Sequence, residues 1–293
     1  MANKKIDICG HSIGENEPVF MVAEIGLNHN GSIDIAKKLM DAAFASNWHC
    51  VKFQKRTPDI CVPENQKNVP RDTPWGKMTY LEYRHKVEFG QEQYNYIDRY
   101  CKEKPIAWTA SVWDVPSMEF ILGYDVPFIK IPSAKLTEYE FLKMAARSGR
   151  PLVLSTGMST IEEIDEAVAI LENNSNGDYV LMHTNSTYPT PMEELNLLTI
   201  DSLRKRYNCI IGYSGHEYDL EPTVVAVTLG AKMVERHVTL DHGMWGSDHF
   251  ASLEFNAMDM LYKRIKNISV YLGDGIKKVS QKETEVRKKL RGY

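Results

Sequence analysis

Two histidines, His216 and His237, stand where short apolar runs give way to polar tips. The first run, residues 209–213, stops at Ser214-Gly215-His216; the second, residues 232–236, stops at His237. A helical segment at 221–229 lies between them and ends at Gly230. Strand, helix and strand form a βαβ unit, whose strands are parallel neighbours with both tips on one rim. Two imidazoles on one rim could share a divalent ion. Each could equally be a hydrogen-bonded structural histidine, and the spacing leaves both readings open.

Other expected strand ends carry a matching set of polar residues. In chain order they are Glu24, Lys52 and Gln54, Thr109, Lys130 and Ser133, Ser155, His183 and Ser186, Ser214 and His216, then His237 and Asp248. Lysines at a barrel mouth cost free energy unless an anion compensates them. With hydroxyls from Thr109, Ser133, Ser186 and Ser214, the two lysines make a site for phosphate plus carboxylate. The competing reading pairs Lys52 and Lys130 with Glu24 and Asp248 as structural ion pairs; the clustered hydroxyls favour the ligand. Two histidines with nearby carboxylates and open positions suit Mn²⁺, Mg²⁺, Zn²⁺ or Fe²⁺ gripping an oxygen substrate. A structural zinc would want four protein ligands, and no cysteine lies beside either histidine. His29 is a further candidate, and His249 is either part of the ligand shell or a support. His11, His49, His85 and His242 read as surface or supporting residues.

The elements that must position these groups alternate along the chain. Residues 4–18 read as a small hairpin. Strands follow at 19–23, 50–54, 106–109, 128–131, 152–155, 179–183, 209–213 and 232–236. Helices are expected at 32–46, 91–103, 116–122, 138–147, 161–171, 200–206, 221–229 and 254–272, with Ser32 capping the first and Ile35, Leu39, Ala42 and Ala43 on its apolar face. Residues 55–90 read as a long polar loop, a length that is usually functional. Eight strand-plus-helix units predict a (β/α)₈ TIM barrel over 19–272, with the hairpin capping its bottom. An open doubly wound sheet is the alternative, but no glycine-rich dinucleotide fingerprint opens the first helix. One catalytic unit would span 1–275, followed by a tail at 276–293.

The bulk properties of the 293 residues fit a globular protein that is 43% hydrophobic and 25% charged. A net charge of -4 argues against a nucleic-acid partner. No run is long enough to span a membrane and no secretion signal opens the chain. Five scattered cysteines fit reduced thiols in a cytoplasmic setting.

Eight motifs, taken together, resemble the sialic acid synthase (N-acetylneuraminate synthase) family. They are AEIGLNHNGS (23–32), VKFQ (51–54), FIKIPSAKLT (128–137), PLVLSTGMST (151–160), STYPTP (186–191), GYSGHE (212–217), GAKMVERHVTLD (230–241) and GSDHFASLE (246–254). The resemblance implies condensation of phosphoenolpyruvate with an open-chain aldose such as N-acetylmannosamine, with release of phosphate. It implies a metal on His216 and His237, Mn²⁺ first and Mg²⁺ or Co²⁺ as alternatives. Lys52, Thr109, Lys130, Ser133, Ser155, Ser186 and Ser214 would hold phosphate and carboxylate, while Gln54, Tyr188 and Asp248 would face the sugar and Glu24 would move a proton. It also implies a homodimer or higher homo-oligomer. Many members carry a C-terminal antifreeze-like domain, which is absent from this sequence. Where many have Pro-Gly-Pro-Asp, this chain has Trp245-Gly246-Ser247-Asp248, which puts the choice of sugar at Met244-Trp245. Two alternatives remain open: a Kdo- or DAHP-type synthase, for which Arg56 and Arg71 are the basic candidates for a second phosphate, and a non-catalytic sugar-phosphate-binding homologue.

Overall fold

The computed structural model describes residues 4–292; Met1, Ala2, Asn3 and Tyr293, the two ends of the expected unit and tail, lie outside it. Its strands are β1 (Ile6–Ile8), β2 (His11–Ile13), β3 (Phe20–Gly26), β4 (Cys50–Lys55), β5 (Pro70–Thr73), β6 (Gly76–Thr79), β7 (Ala107–Val112), β8 (Ile129–Ile131), β9 (Leu152–Ser155), β10 (Tyr179–Thr184), β11 (Ile210–Gly215) and β12 (Met233–His237). Eight of them close into a parallel barrel in the order β10-β11-β12-β3-β4-β7-β8-β9. This is the expected (β/α)₈ fold, with its eight strands in sequence order around the ring.

Alternation along each strand sorts the barrel interior into layers. At the bottom, Phe20, Val22, Cys50, Phe128, Val153, Val180, Met182, Ile210 and Met233 form one apolar cluster with Ile6, Ile8 and Ile13 of the β1–β2 hairpin. The hairpin therefore seals the barrel base by burial. Two residues further up most of these strands, and four further up β11, the inward positions turn polar, and the layer above the apolar plug carries Glu24, Lys52, Lys130, Ser155, Ser214 and Glu235. The outward positions pack against the helices in a second, larger core.

Local signals explain the flanking helices. Ser32 accepts from the Ile35 amide at the start of Ile33–Ala45, whose fully buried face is Ala36, Leu39, Met40 and Ala43. Ile35 and Ala42, expected there, are only partly buried. A capping box of Thr160 and Glu163 opens Ile161–Asn174.

Three expectations change. The supposed loop at 55–90 holds two single-turn helices, the β5–β6 hairpin and a capped helix, Tyr80–Val87. These are fixed by backbone pairing and by the Thr79–Glu82 capping box, which leave no apolar periodicity to read. The helix expected over 254–272 breaks at Asn267 into Phe255–Lys266 and Ile268–Leu272. The tail forms a helix, Gln281–Arg291, capped by Ser280 and burying none of its residues. Among the described residues no helix is long and apolar enough to cross a membrane.

Candidate active site

A cavity of about 210 Å³ opens at the C-terminal ends of the barrel strands. At its floor lie two lysines and two glutamates, all 5% exposed or less: Glu24, Lys52, Lys130 and Glu235. Glu24 and Lys52 are register partners on β3 and β4, and their head groups form an ion pair. Glu235 Oε1 stands 3.4 Å from Lys52 Nζ and 3.3 Å from Lys130 Nζ. Lys130 Nζ also donates to Ser155 Oγ at 2.7 Å, and Ser214 Oγ donates to Glu235 Oε1 at 3.3 Å.

Burial disfavours the charged form of all four groups. At Glu24 burial dominates and pushes the carboxyl up, against the pull of Lys52. At Glu235 burial is overcome by Lys130 and Lys52, and the carboxyl is held down at about 2. Burial pulls Lys130 below the usual ammonium range, whereas at Lys52 Glu235 and Glu24 outweigh it and hold the ammonium above. Glu235 is thus the carboxyl held ionised by two ammoniums, and Glu24 the one whose burial favours the neutral form.

Hydroxyls line one wall. Ser133 Oγ accepts from the Gly157 amide at 3.0 Å. A Cβ on Gly157 would lie 2.3 Å from Ser186 Oγ and 2.9 Å from Ser133 Oγ. Only a bare backbone fits between these hydroxyls, the close approach that glycine permits. The result is a small cradle of O–H groups beside the lysine pair.

The imidazoles line the opposite wall. The rings of His216 and His237 are 5.7 Å apart between centroids. His216 Nδ1 lies 2.5 Å from the Asn185 carbonyl oxygen, which can only accept, so Nδ1 carries the proton. Nε2 is left with its lone pair, which receives the Tyr188 hydroxyl at 2.7 Å. Burial first, and His237 second, lower the His216 pKa to about 3. His237 Nδ1 is buried without a hydrogen-bond partner. Two imidazoles, one oriented by a backbone carbonyl and one with an unspent nitrogen, fit a divalent ion. Among the described residues no three or more His, Cys, Asp or Glu gather into a metal cage. Such an ion would complete its shell from substrate and water.

Gln54 bridges outward. Its Nε2 donates to Glu24 Oε1 at 3.3 Å and its Oε1 accepts from Arg56 Nη2 at 3.1 Å. With Trp113 and Tyr188 it also lines a second, outer cavity of about 810 Å³, where Asp248 and Trp245 lie.

A model of the NeuB family matches residues 39–277. The chain belongs to the NeuB family. N-acetylneuraminate-9-phosphate synthase of Drosophila melanogaster is 40% identical over 94% of this chain and 73% of its own length. The Homo sapiens protein of the same name is 36% identical over 98% and 80%. Among solved structures, the N-acetylneuraminic acid (sialic acid) synthetase of Leptospira borgpetersenii serovar Hardjo-bovis, in complex with citrate, matches with a TM-score of 0.87 at 30% identity over 99% of each chain.

In this NeuB chain Glu24, Lys52, Gln54, Lys130, Ser133, Ser155, Ser186, Tyr188, Ser214, His216 and His237 all line the inner cavity. Thr109 does not. It sits one step below, opposite Lys52 in the register, and donates to the Phe128 carbonyl at 2.7 Å; Ser111, two residues on, takes the mouth position. Asp248 faces the outer cavity only, so the lysines are paired with Glu24 and Glu235 rather than with Glu24 and Asp248. His29 stacks on Phe89 at 3.8 Å and accepts from the Gly31 amide, away from the cavity. His183 is turned outward to the Leu195 carbonyl, leaving Thr184 in its place. His249 is a support, bonded to Thr239 Oγ1 at 2.7 Å. Glu235 is the principal residue missed from sequence. Its signal was the two-residue period, because it shares the inward face of β12 with His237.

Proposed function

We propose that this NeuB-family chain is a nonulosonic acid synthase that joins phosphoenolpyruvate to the aldehyde of an open-chain aldose such as N-acetylmannosamine. The observation that carries this reading is a single cavity with an ammonium-and-hydroxyl floor on one side and two imidazoles on the other. The two halves match the two reactants: a small dianion or trianion, and a carbonyl oxygen. The adjoining outer cavity gives the longer sugar somewhere to extend.

In the reaction, carbon 3 of phosphoenolpyruvate bonds to the aldehyde carbon, whose oxygen becomes a hydroxyl. Water adds at carbon 2, and the bond from carbon 2 to the phosphate oxygen breaks. The products are a 2-keto acid and inorganic phosphate. Lys52 and Lys130 bind the anionic end through charge-assisted hydrogen bonds. Ser155, Ser214 and the Ser133–Gly157–Ser186 cradle supply further donors and fix its orientation. Glu24, its carboxyl raised by burial, exchanges the proton that the added water gives up. A divalent ion, Mn²⁺ in the first instance, supplies Lewis acidity toward the aldehyde oxygen when held by His216 and His237. Tyr188 and Gln54, at the junction of the cavities, orient the sugar chain.

A phosphate-release assay with phosphoenolpyruvate and Mn²⁺ across N-acylhexosamines and plain aldoses tests the proposal. Sugar-dependent phosphate release that chelation abolishes is the expected result. Silence across the panel would defeat the reading.

A further inference from the structure

Behind the imidazoles, on the outer face of the barrel wall, lies a buried ion pair that lines neither cavity. Arg236 and Glu217 stand next in the chain to His237 and His216, and their side chains are 0% and 1% exposed. Arg236 Nη1 donates to Glu217 Oε1 at 2.8 Å, to Thr223 Oγ1 at 2.8 Å and to the Asp219 carbonyl at 3.0 Å, and Nη2 donates to the Glu217 carbonyl. The carboxylate also accepts from the Tyr213 hydroxyl at 2.8 Å and from the Thr223 hydroxyl at 3.0 Å. One cation and one carboxylate thus join β11, β12 and the start of the helix Glu221–Thr228.

The ladder leaves the pair a task. Pairing of β11 with β12 runs through Ser214–Glu235 and ends at Gly215–Arg236, so His216 and His237 lie one residue beyond it. Each is tied on its far side: His237 is the register partner of Glu24 on β3, and the His216 carbonyl accepts from the Thr190 amide at 3.1 Å. Past the ladder, Arg236 supplies the hydrogen bonds that cross from one tip to the other. Gly215 makes room for them. A Cβ there would stand 2.4 Å from Glu217 Oε2 and 2.7 Å from Tyr213 Cε1, so the carboxylate folds back over bare backbone on the strand that carries His216. A buried ion pair adds little stability over an apolar pair of similar volume. What this one supplies is a fixed relation between two strand tips.

We propose that Arg236 and Glu217 are positioning residues for the divalent ion, setting the gap between the two imidazoles, whose ring centroids stand 5.7 Å apart. The inference rests on the synthase reading above and deepens it by assigning the residues that keep its metal half in register. A shared ion requires both rings to aim at one point, and partners behind the ligands typically change metal affinity by about ten- to a hundredfold when removed. A planar guanidinium reaches the carboxylate and two backbone carbonyls at once, which a single ammonium does not. The lysine half of the cavity is independent of the pair, because Ser214 and Glu235 are still held by the ladder.

The experiment is titration calorimetry of the full chain with Mn²⁺ alone and, separately, with phosphoenolpyruvate alone, in the wild type, Arg236→Lys and Tyr213→Phe. Arg236→Lys keeps a charge opposite Glu217 and loses the fork. It should bind Mn²⁺ at least about tenfold more weakly, with phosphoenolpyruvate affinity within about twofold of the wild type. Tyr213→Phe takes one donor from the Glu217 carboxylate at nearly constant volume and unchanged charge. It should weaken Mn²⁺ binding by roughly two- to fivefold, and it decides the question if Arg236→Lys does not fold. Retained phosphoenolpyruvate binding and a cooperative melting transition show that the barrel mouth is intact. Unchanged Mn²⁺ affinity in either folded variant, or Mn²⁺ and phosphoenolpyruvate affinities that fall by the same factor, would overturn the assignment. No Mn²⁺ binding by the wild type would overturn it together with the metal half of the synthase reading. Failure of phosphoenolpyruvate to bind the wild type would sink the anion half of that reading and leave the Mn²⁺ comparison to decide this one.

Discussion

Glu235 Oε1 lies 3.3 Å from Lys130 Nζ, with both side chains buried at the barrel mouth. The pair keeps a buried cation neutralised at the place where the proposed anionic substrate would bind. Glu235→Gln removes the carboxylate charge at nearly constant shape. Lys52 then retains Glu24, but Lys130 keeps only Ser155. Breaking a buried pair in this way costs about 3–5 kcal/mol. The free variant should therefore melt well below the wild type, and millimolar inorganic phosphate should raise its melting temperature more than it raises the wild type's. An unchanged melting temperature, or no added gain from phosphate, would show that Glu235 does not hold the lysines.

Gly26 is held in the left-handed region at φ +53, where β3 slips register between Glu24 and Gly26. An added Cβ would stand 3.1 Å from Glu24 Oε1, 3.2 Å from His237 Cε1 and 3.3 Å from Gln54 Nε2. Gly26→Ala should cost about 1–2 kcal/mol in backbone strain and cut the rate of phosphate release by more than about tenfold, because it displaces three residues of the site. Gly149→Ala is the control. At φ +75, with nothing within 4 Å, it carries the same strain and should leave the rate unchanged. Equal effects of the two substitutions on the rate would refute the crowding argument.

Much of this site could be read from sequence, because a barrel converts chain order into spatial order. Lys52, Lys130, Ser155 and Ser214 end strands whose apolar runs are unmistakable, and parallel closure puts all such ends on one rim. What escaped depends on a finer rule, the inward and outward alternation within a strand. Thr109 and Ser111 share the inward face of β7 and differ only in height, which depends on barrel stagger rather than on composition. Glu235 was hidden inside what looked like a strand body. Arg84, in the lining of the outer cavity, was beyond reach for a different reason. It belongs to a helix in the segment read as a loop, whose caps and hairpin pairing leave no apolar period to find.

Tyr188 donates its hydroxyl to His216 Nε2 at 2.7 Å and stacks on the same ring at 3.9 Å. Its O–H therefore occupies the lone pair that a divalent ion would use. Tyr188→Phe keeps the stack and removes the competitor. A hydrogen bond of this kind is worth about 0.5–1.5 kcal/mol net, so the variant should bind Mn²⁺ roughly two- to tenfold more tightly. Calorimetric titration of metal into the free protein reads this directly. Weaker Mn²⁺ binding in Tyr188→Phe would mean that the hydroxyl helps the metal site rather than competing with it.

His29 should govern part of the acid limb of stability. It is 2% exposed, stacked on Phe89, and its pKa is lowered to about 3 by burial first and by the Arg84 charge second. The folded chain therefore keeps the imidazole neutral at pH values where the unfolded chain, titrating near 6.5, takes up a proton. Above pH 6.5 both states are neutral and the group contributes no pH dependence. Below it the unfolded state binds more protons, and stability falls by up to about 1.4 kcal/mol per pH unit until the folded value near 3 is reached. His29→Asn keeps a side-chain acceptor for the Gly31 amide and removes the titration. Urea unfolding of both proteins at pH 7, 6 and 5 should show the difference between them shifting in favour of the variant by about 1.2 kcal/mol between pH 6 and 5. His49, whose pKa is lowered to about 4, contributes equally to both chains and cancels. A difference that stays flat with pH would mean that the folded protein accepts a proton at His29, and that the stack on Phe89 opens to water.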